Sequence, residues 1–147
     1  MKIEKALAYL FIGFCLVGLI FSVGQPDYIN RALSIGMFGI PMIALIWAAK
    51  RAPEKIWTLL IIICLLQVFS LKTGFLLYNY STGLGYISYF SWDNLRHTSD
   101  LAQFSTFKIF STTPEAGLSI GINYAALAMV AYLWYYKRKR TGAAVIA

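Results

Sequence analysis

Four long, strongly apolar runs without a charged residue constrain the fold of this chain more than any other feature. A membrane-spanning helix needs about 20 mainly apolar residues, with a working range of about 17 to 25. Three of the runs have that length, and the fourth reaches it if it continues past Lys72 to Tyr78. The runs are 16 to 21 residues long and cover residues 6–26, 32–49, 56–71 and 116–136.

The runs predict an all-α integral membrane protein, built as a four-transmembrane-helix antiparallel bundle in a single membrane domain over 1–147. Composition agrees, because 59% of the residues are hydrophobic and only 13% are charged, against about 25% charged in typical soluble domains. The first run could instead be a cleaved signal peptide, but its long apolar core favours a retained helix. The expected parts are helices at about 5–24, 31–49, 54–78 and 114–136, an external segment at about 79–113, and a tail at 137–147.

Lys72 needs a separate explanation, because it would fall within the third predicted helix. In a helix that starts near Ile56, Lys72 lies about 24 Å along the axis, at about 1.5 Å per residue. That position is close to the far edge of a hydrocarbon core about 30 Å thick. From there a lysine side chain can extend to the headgroups, so the sequence predicts a boundary residue.

The distribution of positive charge predicts the orientation. The net charge is +7, and nine of the 13 lysines and arginines lie in residues 1–5, 50–55 and 137–140. Cytoplasmic segments of membrane proteins carry this excess. Both termini are therefore expected in the cytoplasm, and the basic tail in contact with anionic lipid, with a bacterial inner (plasma) membrane as the natural location. Nucleic acid is not an expected partner.

The external segment is rich in polar and aromatic side chains. Residues 79–92 are expected to lie on the membrane surface or re-enter it, although a fifth span is an alternative. From Thr98 to Phe110 an apolar residue recurs every third position, which predicts an amphipathic helix. Aromatic residues and arginine are common contact anchors, so the predicted partner-binding residues are Tyr86, Tyr89, Trp92, Asp93, Arg96, His97 and Asp100.

Two further groups of residues are expected inside the bilayer. Gly117, Gly121 and Ala125 fall four apart, a spacing that lets helices pack closely in lipid. They are expected to pack within the bundle, and contact with a second copy is the alternative. Gln67 and Asn123 are the side-chain amides of the predicted spans, and each is expected to hydrogen-bond across helices.

The residues give little support to catalysis. The chain has one histidine and two cysteines, with no spacing typical of a metal or haem site and no P-loop, zinc-protease or nucleophile-elbow motif. No metal and no cofactor are therefore expected. Asp93 and His97 are four apart and could pair on a helix, which leaves a membrane enzyme as a third possibility.

The sequence thus favours a non-enzymatic membrane protein that acts by protein contact. It would be an accessory subunit of a membrane complex, or a protein of the immunity or exclusion type. The expected partners are the lipid bilayer and another membrane protein or a second copy of the chain. The alternative is an oligomeric channel or transporter for a small solute, with Gln67 and Asn123 along its pathway. Proton-coupled transport is not favoured, because no predicted span has a central ionisable residue.

Overall fold

The described residues fold into four α-helices and a four-stranded antiparallel sheet. A computed structural model describes residues 3–83, 85–91, 96–102 and 106–145. The helices are α1 (Ile3–Val23), α2 (Tyr28–Arg51), α3 (Ile56–Leu65), which follows a 3₁₀ turn at Pro53–Lys55, and α4 (Tyr124–Val145). The strands are β1 (Phe69–Ser81), β2 (Gly85–Ser91), β3 (Arg96–Ala102) and β4 (Thr106–Asn123).

The prediction of an all-α four-helix membrane bundle is therefore wrong. The third predicted helix stops at Leu65, and the chain continues as β1 from Phe69. The fourth begins at Tyr124 rather than near 114, because the first part of that apolar run belongs to β4. In both places apolar and polar residues alternate, a period-2 pattern that suits a strand with one buried face.

The predicted amphipathic helix from Thr98 to Phe110 is also absent. The described residues of that stretch lie in β3 and β4. Ser99 pairs with Ser88 in β2, and Phe107 pairs with Tyr80 in β1. Pairing with neighbouring strands satisfies the backbone donors and acceptors that a helix would have satisfied internally. Side chains that recur every third residue therefore share no helical face here.

The first two predicted helices correspond to an antiparallel hairpin of α1 and α2. A tight connection joins them, and Asp27 caps α2 by accepting a hydrogen bond from the backbone N–H of Ile29 at 3.0 Å. Both helices are long and apolar enough to cross a membrane, and only 28% of the apolar window of each is buried within the molecule. In the described part of the chain they are the two helices that meet this test of length and composition.

The hydrophobic core is divided between the helices and the sheet. One cluster joins α1, α2, α3 and α4 and includes Ala8, Leu45, Leu60 and Leu133. A second joins the α1–α2 hairpin to the sheet through Cys15, Phe38, Tyr80 and Phe107. The sheet thus packs on the end of the hairpin where α1 stops and α2 starts, and α3 and α4 pack on the opposite end.

Candidate functional site

One face of the sheet exposes apolar side chains outside the helical hairpin. The strand order is β1-β4-β2-β3. Leu71, Ile120, Phe90 and His97 stand opposite one another and form one row across all four strands. Residues that are directly opposite in antiparallel strands point to the same face of a sheet. These four side chains therefore share a face.

A second row lies on the same face, two residues further along each strand. It consists of Phe69, Ile122, Ser88 and Ser99. Phe69 is 61% exposed, Ile120 41% and Phe90 40%. We call Phe69, Leu71, Phe90, Ile120 and Ile122 the contact face. Exposed apolar patches with a polar border are typical of interaction sites.

The border of the contact face is polar on the side of β3. His97 and Ser99 are exposed there, and Ser88 is buried beside them. A hydrogen bond joins the Ser88 hydroxyl to His97 Nε2. Because β3 lies at one edge of the sheet, it presents backbone N–H and C=O groups at that border.

The centre of the opposite face of the sheet is packed inside the molecule. Ile87 and Tyr89 are nearly fully buried on it, and Gly121 leaves space for the Tyr89 ring. The Tyr89 hydroxyl lies 3.2 Å from Ser70 Oγ, and Lys72 Nζ lies 4.3 Å from the centre of the Tyr89 ring. This geometry places a cation over an aromatic face. Lys72 thus lies in a strand, not at the end of a helix.

Tyr80 holds the sheet on the helical hairpin. Its hydroxyl donates to the Met37 carbonyl at 3.1 Å, and its ring lies 5.5 Å from that of Phe38. Burial raises the pKa of Tyr80 well above its ordinary value. The phenol therefore stays protonated at neutral pH and keeps its role as a donor.

The structure separates the residues predicted to bind a partner. Tyr86 is exposed and packs on Tyr124, and His97 is exposed next to the contact face. Tyr89 is buried and faces the interior. Arg96 and Asp100 lie in β3, opposite Ser91 and Ile87. Trp92 and Asp93 are outside the described residues, so the proposed pairing of Asp93 with His97 is outside them as well.

The three small residues that were predicted to pack helices closely do not lie on one helix. Gly117 and Gly121 belong to β4, and Ala125 is in the first turn of α4. Gly117 has a φ of +84°, a conformation that side chains disfavour. Gly121 is closely approached, but by Tyr89 and Ile87 of the neighbouring strand. The close contact is therefore made within the sheet.

Gln67 is a buried link between the end of α3 and the end of β1. Its Nε2 donates to the Ile63 carbonyl at 3.0 Å and to Thr82 Oγ1 at 2.6 Å. Its Oε1 accepts a hydrogen bond from the Thr82 backbone N–H at 2.9 Å. Both protons of the amide are used, so Gln67 has a structural role in fixing the turn after β1.

Asn123 joins β4 to α4. Its backbone N–H donates to the Val68 carbonyl at 2.8 Å, and its Oδ1 accepts from the Ala126 backbone N–H at 3.2 Å. The second contact is a helix N-cap, which satisfies one of the free donors in the first turn. Asn123 therefore marks the change from strand to helix.

Replacing Asn123 by alanine should lower the free energy of unfolding by about 1 kcal/mol, because the cap of α4 is lost. Asn123→Ser should retain most of that stability, since a serine hydroxyl can also accept from the first turn. Thermal unfolding of the purified protein in mild detergent measures both variants. Equal midpoints for the alanine variant and the original protein would contradict the capping role.

Basic and aromatic side chains meet at the end of the molecule that lies away from the contact between hairpin and sheet. Lys137 Nζ donates to Thr58 Oγ1 at 3.0 Å, and the Trp57 and Tyr136 rings stack with centres 5.5 Å apart. Lys55 Nζ lies 5.2 Å from the centre of the Trp47 ring. Tryptophan and tyrosine near lysine and arginine are typical of a membrane–water interface.

The contact face was not predicted from the sequence. Its residues fall within two of the apolar runs, where length favoured a helix, and in the polar segment between them. The available signal was alternation: Leu118, Ile120 and Ile122 alternate with Ser119, Gly121 and Asn123. Such alternation is typical of a strand with two different faces.

The fold and the candidate site together define a class: an apolar helical hairpin that carries a four-stranded antiparallel sheet with one exposed apolar face. Within the described residues, no three histidine, cysteine, aspartate or glutamate side chains are grouped so that they could bind a metal. Comparisons of the chain with protein families, with curated proteins and with solved structures found no match.

Proposed function

We propose that this protein is a membrane-anchored, non-enzymatic contact protein that acts as an accessory subunit of a membrane complex. The α1–α2 hairpin crosses the bilayer, and the contact face of the sheet binds another membrane protein. Both termini are on the cytoplasmic side, and a bacterial inner membrane is the proposed location.

The observation that carries the proposal is the exposure of the hairpin. Most of the large apolar side chains of α1 and α2 point away from the rest of the molecule, among them Leu16, Ile20, Phe21, Ile40 and Ile43. A core helix of a soluble protein would be mostly buried, whereas these helices are buried over 28% of their apolar windows. Placing such a surface in lipid removes it from water, which is favourable by about 25 cal/mol per Å² of apolar area.

The basic end of the molecule supports the proposed orientation. Lys50, Arg51 and Lys55 lie at the end of α2 and the start of α3, and Lys137 reaches the same place from α4. A concentration of lysine and arginine on one side of a membrane protein favours the cytoplasmic side. The contact between hairpin and sheet then lies toward the other side.

A protein partner fits the contact face better than lipid does. Among the strands that the structure describes, β3 borders this face and is an edge strand with polar backbone groups. Open sheet edges do not occur in the hydrocarbon region, because their backbone groups would lack hydrogen bonds. Ser99 and His97 add exposed polar groups at the same border. A partner with an apolar patch and a polar rim matches this arrangement.

The channel alternative has less support from the described residues. Gln67 uses its amide within the fold, and Asn123 uses its side-chain oxygen to cap α4. Groups that line a solute pathway need free donors or acceptors to exchange with the solute.

Site-specific photocrosslinking tests the contact face. A benzophenone amino acid incorporated at position 120 in the native cell should give one discrete crosslinked product in the membrane fraction. The benzophenone amino acid at position 119 should give at least tenfold less of that product, because Ser119 is next to Ile120 but faces the opposite side of the sheet.

Mass analysis of the product separates the partner classes. A product of one copy of this chain and one different protein supports the accessory-subunit proposal, whereas a product of twice the mass of this chain replaces that proposal with self-association. No product at position 120, or equal products at both positions, would contradict the contact face. Release of the protein from membranes by alkaline carbonate would contradict the anchor.

A further inference from the structure

A cavity of about 240 Å³ lies where α1, α3, α4 and the end of β1 meet. One wall is formed by Leu10, Phe11 and Phe14 of α1, and the facing wall by Ala125, Ala126 and Met129 of α4. An engineered apolar cavity of about 150 Å³ stays dry and binds benzene. The present cavity is larger and just below the roughly 300 Å³ of ordinary ligand pockets.

The polar groups of the cavity lining do not need a polar ligand. Gln67 and Thr82 are buried and line the cavity together with the buried Cys64. Gln67 already bonds to Ile63 and twice to Thr82, so its amide protons are both engaged. None of the described residues that line the cavity is charged. A wholly apolar occupant can therefore fill this space without leaving the amide unsatisfied.

The mouth of the cavity opens onto the apolar exterior of the helices. Leu10 is 50% exposed, and Ala125 is exposed on the opposite wall. The exposed surface of both helices is otherwise apolar as well, with Tyr9 and Leu16 on α1 and Leu127 on α4 among its residues. If α1 lies in the bilayer, an occupant reaches the cavity from lipid and not from water.

We propose that this cavity binds one acyl chain of a bilayer phospholipid, which enters between α1 and α4. The proposal rests on the membrane placement of α1 and is independent of the contact face. A flexible hydrocarbon chain fits a narrow apolar space, supplies no group that needs a hydrogen bond, and is present at high concentration around the mouth. The headgroup stays outside, at the exposed end of the α1–α4 gap.

The two cysteines provide an internal comparison for the test. Cys64 lines the cavity and is only 2% exposed, whereas Cys15 is fully buried and belongs to a different cluster. The protein is reconstituted into phosphatidylcholine vesicles that contain a phospholipid with a diazirine near the end of one acyl chain. After illumination, labelled residues are located by mass spectrometry. Label is expected on Cys64 and on the exposed residues of α1 and α2, but not on Cys15.

Ala126→Leu places a larger side chain in the cavity and should reduce labelling of Cys64 at least fivefold. Ala125→Leu narrows the mouth without entering the core, and should have the same effect if Ala126→Leu folds poorly. The matched control is Ala128→Leu, on the exposed side of α4, which should leave labelling of Cys64 unchanged. A free fatty acid with the same diazirine tests the source of the acyl chain. If the fatty acid labels Cys64 and the phospholipid does not, the ligand is a free fatty acid and not a phospholipid.

The outcomes separate this proposal from the membrane anchor. Labelled exposed faces of α1 and α2 with unlabelled Cys64 would overturn the acyl-chain site and leave the anchor intact. Labelling of Cys64 that none of the cavity variants reduces would also overturn it. No label on the exposed faces would overturn the membrane placement, and the acyl-chain site with it.

Discussion

Gly18→Val should lower the free energy of unfolding by about 2–3 kcal/mol, as expected for overpacking of a well-packed contact. Gly18 lies in α1 where the Phe38 ring of α2 crosses it. A Cβ atom added at Gly18 would be 2.6 Å from two carbons of that ring and 2.7 Å from a third. Distances this short cannot be accommodated unless Phe38 moves.

Phe38 has little freedom to move. It is fully buried, and its ring packs on Tyr80, which in turn donates to the Met37 carbonyl. A displaced Phe38 would therefore disturb the joint between the hairpin and the sheet as well as the crossing of α1 and α2. Loss of stability should be accompanied by increased protease cleavage in the sheet.

Gly13→Val is the matched control, because Gly13 lies in the same helix and its surroundings are open. Apart from its two chain neighbours and the backbone of its own helix, no described atom lies within 4 Å of the position that a Cβ atom would occupy there. Valine has a slightly better helix propensity than glycine, so this variant should be neutral or more stable by a few tenths of a kcal/mol. Denaturant titration in the same detergent compares the two. Equal stability of the two valine variants would contradict the close contact between Gly18 and Phe38.

The helical hairpin was accessible from sequence, and the sheet was not. The predicted helices at about 5–24 and 31–49 correspond to α1 and α2, with bounds that differ by a few residues. Long apolar runs that end at turn residues leave few alternatives to a helix. In these two segments, local pattern and length indicate the same structure.

The helices predicted for the other two runs are wrong, because the length of each run indicated a helix whereas the alternation in part of it indicated a strand. In the run at 116–136, the first part alternates as a strand and the second continues as α4 from Tyr124. The alternation was outweighed by a total length that matched a membrane span. Strand pairing depends on residues far apart in the chain, such as Leu71 and Ile120, and a single sequence does not reveal which segments pair.

The partner-binding role of the residues named from the sequence stays a prediction, and the sequence could not show which of their side chains face outward. His97 and Tyr86 are exposed in the sheet as expected for surface residues, but Tyr89 is buried because its strand turns that side chain inward. A shift of one residue in strand register would move Tyr89 to the exposed face. Composition identified a polar, aromatic segment, and only the register decides which of its side chains a partner can reach.

Gln67→Met should lower the free energy of unfolding by about 3 kcal/mol, because an unsatisfied buried donor alone costs about 1–3 kcal/mol. Methionine keeps the length of the side chain but removes three hydrogen bonds. The Thr82 backbone N–H then remains buried without its partner. The loss of the two bonds donated by Nε2 adds to this cost.

Two further variants grade the effect. Thr82→Val removes one hydroxyl but leaves the backbone bond to Gln67 Oε1, so about 1 kcal/mol is expected. Leu66→Met changes a neighbouring exposed side chain and should be close to neutral, as surface substitutions usually are. Unfolding in denaturant should therefore rank Gln67→Met as the most destabilising, Thr82→Val next and Leu66→Met last. If Gln67→Met were as mild as Leu66→Met, Gln67 would not fix the turn after β1, and its amide would be available for a ligand in the cavity.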